Sequence, residues 1–108
     1  MKDNKTVYKV MFVNQEETYE IFARHVYPSE MYGFVEVEEF VFGERSQLLV
    51  DPGEEKLKAE FAQVKRSYIP MHSVIRIDEV EKEGVAKVTK GGSVVSQLPM
   101  GGKPTGNR

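Results

Sequence analysis

The chain contains no cysteine, which excludes disulfide scaffolds, cysteine-ligated zinc sites and thiol nucleophiles together and leaves the redox compartment unmarked. It has no apolar run of about eighteen residues, so no membrane-spanning helix is available. The opening Lys2-Asp3-Asn4-Lys5 also lacks the apolar stretch of a secretory signal. A soluble, cytoplasmic protein is the expectation. Histidine occurs only at His25 and His72, 47 positions apart, with no third ligand at a recognised metal spacing. Gly-x-Ser-x-Gly elbows, phosphate-cradling glycine loops, His-Glu-x-x-His and EF-hand spacings are all missing. No catalytic residue, cofactor or metal is therefore expected, and the chain reads as a non-enzymatic protein.

What is present is 108 residues, 40% hydrophobic and 30% charged, enough for one small domain. The net charge of -2 is unevenly laid out. Residues 1–84 hold all 17 acidic side chains but 11 of the 15 basic ones, a balance of -6 against +4 for the remainder. An acidic body repels a polyphosphate at long range, so nucleic acid would have to dock at a local basic patch. The composition divides the chain into a globular domain over 1–88 and a flexible glycine-rich tail over 89–108, whose sizeable apolar residues are Val94, Val95, Leu98 and Met100.

Thr6 to Val13 and Thr18 to Tyr27 alternate with period two, and the short polar stretch Asn14-Gln15-Glu16-Glu17 joins them as an antiparallel hairpin. Pro28-Ser29-Glu30 interrupts pairing before a third strand, Phe34 to Phe42. Along that strand Val35 and Val37 share one face while Phe40 and Phe42 fall on the other. A bulge or bend at Glu38-Glu39 would return both halves to one core. Leu48 to Val50 reads as a short strand. Asp51-Pro52-Gly53-Glu54 reads as a capped helix start with a capping box, and Leu57, Phe61, Val64 and Tyr68 predict one helical stripe over Pro52 to Ser67. Glu54 and Lys58 are spaced for a surface ion pair. Val74 to Val80 is a last strand, with a weak extension at Val85 to Val88. The order β-β-β-β-α-β defines an α+β, mainly antiparallel domain: a small curved sheet or open barrel of the SH3-like or Sm-like kind with one helix, a flat sheet being the other option.

Two surfaces carry binding potential. Phe34, Glu36, Glu38 and Phe40 form a strip suited to docking a basic protein partner, with the aromatics as anchors. Arg24, Lys65, Arg66, Tyr68, His72 and Arg76 could gather into a patch that contacts phosphates and stacks on bases, the alternative reading of an RNA-associated barrel. Oligomeric state is open.

The runs Tyr19-Glu20-Ile21-Phe22-Ala23-Arg24, Tyr32-Gly33-Phe34-Val35-Glu36-Val37 and, most specifically, Ile69-Pro70-Met71-His72-Ser73 followed by Val74-Ile75-Arg76-Ile77-Asp78-Glu79-Val80 resemble an uncharacterised bacterial family, domain of unknown function 1820. The resemblance spans about residues 6 to 84. It implies no activity and supplies no catalytic residue, and it favours a small stand-alone binding module.

Overall fold

The computed structural model describes residues 6–43 and 51–90. Six strands and one helix follow in order: β1 (Val7–Asn14), β2 (Glu17–Pro28), β3 (Phe34–Phe40), α1 (Pro52–Phe61), β4 (Arg66–Pro70), a 3-10 turn (Met71–Ser73), β5 (Val74–Val80) and β6 (Lys87–Lys90). All strand pairings are antiparallel, in the order β4-β3-β2-β1-β5. Because β4 and β5 stand at opposite ends of that order yet are joined by three residues, the sheet has to curl until its edges approach. They do not pair, so the result is an open curved sheet, as the element pattern implies. The twelve-residue β2 is its spine, offering one edge to β1 and dividing the other between β6 at Glu17–Glu20 and β3 at Ala23–Pro28.

The concave side holds the main core: Val10 and Phe12 of β1, Tyr19, Ile21 and Ala23 of β2, Val35 and Val37 of β3, Leu57 of α1, Ile69 of β4, and Ala86. Each large aliphatic chain buried there contributes about 1.5–3 kcal/mol relative to exposure. Phe12 and Tyr19, directly opposite in the ladder, stack with ring centroids 5.0 Å apart. Phe22 points the other way and is nevertheless buried. The chain after β5 passes over it so closely that a side chain at Gly84 would stand 3.3 Å from the Phe22 ring.

The expected bend in β3 sits at Glu39, whose φ of 60° lies in the left-handed region. It takes a different form from a bulge. Ala23 pairs Phe40 and Val26 pairs Val37 in one unbroken register, so β2 and β3 change face together around Arg24 and Glu39. Ala23 and Phe40 face the core on one side of the bend, Val26, Val37 and Val35 on the other. The change in β2 is not apparent from its alternation alone.

Helix α1 begins as expected, with the Asp51 carboxylate accepting the Glu54 N–H at 3.0 Å and Pro52 in the first turn. It ends at Phe61, six residues short of the expected Ser67. The apolar spacing that suggests a longer helix is overridden because Arg66–Pro70 gains more as a strand: Ile69 enters the core beside Val35 while one backbone edge pairs with β3. The Leu48–Val50 strand lies outside the described residues, as does the tail from Gly91. The weak extension is a true strand, β6, displaced to Lys87–Lys90 and therefore reaching two residues into the expected tail.

Candidate functional site

The reversal in β2 and β3 lays a polar ladder on the convex side. His25, Glu38 and Arg66 form one cross-strand row and Tyr27, Glu36 and Tyr68 the next. The Arg66 guanidinium ion-pairs with Glu38 and lies 3.6 Å from Glu36, while the Ser29 hydroxyl donates to Glu36 at 2.9 Å. Hydrogen bonds from the Tyr27 hydroxyl and then Arg66 hold the Glu38 carboxyl below its ordinary value. The Tyr27 hydroxyl is pushed up, chiefly by that same bond to Glu38. Arg66 is pushed up as well, first by its hydrogen bond to Tyr68, at 3.4 Å, and next by Glu38. His25 lies 3.3 Å from Glu39.

This ladder merges parts of the two surfaces expected from sequence. Glu36 and Glu38 of the acidic strip meet Arg66 and Tyr68 of the basic patch, so the charges are satisfied within the sheet. Phe40 leaves the strip, because beyond the bend it packs toward the core against Phe61 at a ring separation of 4.7 Å. The remaining basic residues are dispersed. Arg24 donates to the Thr6 carbonyl at 3.4 Å, Arg76 pairs with Asp78 at 3.2 Å on β5, Lys65 stands in the turn before β4, and His72 is exposed on the 3-10 turn.

Where the curled sheet fails to close, its interior opens to solvent. At one end lies a cleft of about 280 Å³ lined by Tyr8, Val26, Tyr27, Pro28, Val35, Met71 and Ile77, without a charged side chain. Met71 is 51% exposed and Tyr27 and Ile77 are each 38% exposed, so the cleft presents apolar side-chain surface to solvent. The Met71 N–H donates to the Gly33 carbonyl at 2.8 Å, which fixes the 3-10 turn against the loop carrying Met31 and the fully exposed Tyr32. Methionine and tyrosine supply adaptable and amphipathic contact area. The cleft is not apparent from the sequence pattern, because Ile77 shares a strand face with Ile75 by ordinary alternation and nothing local marks it or Met71 as exposed.

At the other end a groove of about 410 Å³ runs between β4, the β1–β2 hairpin and the end of α1, lined by Phe12, Asn14, Phe61, Val64 and Ile69 among others. Tyr19 anchors it, its hydroxyl 3.2 Å from Glu60 and its pKa raised, first by burial. Among the described residues no three His, Asp or Glu side chains are grouped to hold a metal ion, and no helix is long and apolar enough to cross a membrane.

These features define a class: a small α+β domain whose described residues form one open, curled antiparallel sheet with a helix between β3 and β4. A family model described as Domain of unknown function (DUF1820) matches residues 6–100, and the chain belongs to that family. No curated protein and no solved structure matches it.

Proposed function

We propose that this protein is a non-enzymatic binding module that docks a basic protein segment, seating an apolar side chain of that partner in the cleft between Tyr27, Met71 and Ile77. The observation that carries the reading is the cleft itself: an uncharged opening into the core, with its three most prominent walls substantially exposed. The -6 balance of residues 1–84 favours a basic partner over an acidic one and steers its approach. The alternative of an RNA-associated barrel draws less support, because Arg66 and Arg76 each face a carboxylate and the ladder presents acid beside every aromatic.

Selection from a displayed library of random peptides tests this reading. Enrichment of sequences with lysine or arginine flanking one large apolar residue is expected, with affinity for the winners falling at least about tenfold in Ile77→Asp or Met71→Asp, whose altered side chains are already exposed in the free protein. Failure to enrich any peptide, or winners indifferent to both substitutions, would overturn it.

A further inference from the structure

The groove at the opposite end of the opening has its own candidate occupant within the same polypeptide. Strand β6 ends at Lys90, which pairs Glu17, and Glu17 in turn pairs Asn14, a wall of the groove. The chain therefore leaves the described sheet beside this groove. Gly91 and Gly92 come next and allow the backbone to turn in any direction. The ten residues from Gly91 to Met100 span up to roughly 33 Å when extended, enough to cross a groove of this size.

The chemistry of the segment suits the site. Val94, Val95, Leu98 and Met100 are apolar, and no charged residue occurs between Gly91 and Gly102. The groove offers Phe12, Phe61, Val64 and Ile69 as apolar walls, with Ser67 and Ser73 as polar partners. Along it runs β4, which pairs β3 on one edge and, among the described residues, no strand on the other, and an edge of that kind is where an extended chain can add. The family match extends ten residues past the last strand and stops at residue 100, the end of the apolar stretch and before Lys103. We propose that Val94–Met100 is an intramolecular ligand that seats in this groove. The proposal is independent of the partner cleft, which lies at the other end of the opening.

The lack of cysteine makes a direct test available, since Ser96→Cys in the full chain accepts a single nitroxide label. Paramagnetic broadening of isotope-labelled protein is expected to remove most of the amide intensity at Asn14, Val64, Ser67 and Ile69 while affecting Val80, seven residues along from the groove wall Ser73, far less. Adding Val95→Asp and Leu98→Asp is expected to restore the groove signals in a protein that keeps its folded amide spectrum but melts at a lower temperature, because a segment that binds only the folded domain stabilises it. Equal broadening with and without the two aspartates would overturn the proposal. So would broadening that appears in a mixture of spin-labelled and separately isotope-labelled chains, because the occupant would then be a second copy.

Discussion

Glu54 does more in the structure than its place in a capping motif implies. Its backbone N–H is held by Asp51, but its carboxylate turns inward, is 7% exposed, and accepts from Ala86 N–H at 3.0 Å and Gly43 N–H at 3.4 Å. The expected surface pair with Lys58 is replaced by a buried clip joining α1 to the chain ends before β6 and after β3. Glu54→Ala should cost about 2 kcal/mol or more, since two donors lose a charged acceptor. Glu54→Gln, which retains a carbonyl acceptor, should recover part of it. Chemical denaturation of both variants checks this, and equal stability of Glu54→Ala and the parent would contradict it.

Glu38 makes a pH prediction of definite sign. Folding lowers its pKa from an ordinary 4.5, so in the interval between the two values the unfolded chain binds the extra proton. The stabilisation is complete above 4.5 and is lost as pH falls through the lower, folded value. Melting temperature should accordingly drop more steeply on acidification in the parent than in Glu38→Gln. Parallel profiles would show that the ladder with Tyr27 and Arg66 is not maintained in solution.

At the scale of elements, the bend shared by β2 and β3 decides which residues reach each site. Glu39 holds a positive φ without being glycine, an arrangement that costs stability unless the surroundings require it. Glu39→Val should destabilise by about 1–3 kcal/mol because a branched side chain resists that conformation, whereas Glu39→Gly should be tolerated despite loss of the contact with His25. Thermal melts distinguish the two, and equal effects would mean that the bend is set elsewhere. Much of this architecture was legible in the residues. The alternation of β1, the Asp51-Pro52 helix start and the phase change after Val37 are local signals, and local signals survive folding. The end of α1 was not legible, because Val64 and Tyr68 continue a helical spacing and only the vacancy beside β3 makes a strand of the next residues. The fate of the charged strip was hidden for a similar reason. Glu38 and Arg66 are 28 positions apart, and nothing short of the strand register makes them neighbours.

At the scale of the whole molecule, a sheet that curls without closing leaves its own interior accessible at two ends. An acidic body surrounds one uncharged cleft, and that combination, more than any single residue, is the basis for reading the protein as a docking module. Affinity capture with the full chain at physiological salt, divided between samples treated and untreated with RNase and run beside Ile77→Asp, tests this most directly. The account predicts a discrete basic protein that survives RNase and is lost from the Ile77→Asp sample. Recovery that depends on RNA, or that is unchanged by Ile77→Asp, would contradict it.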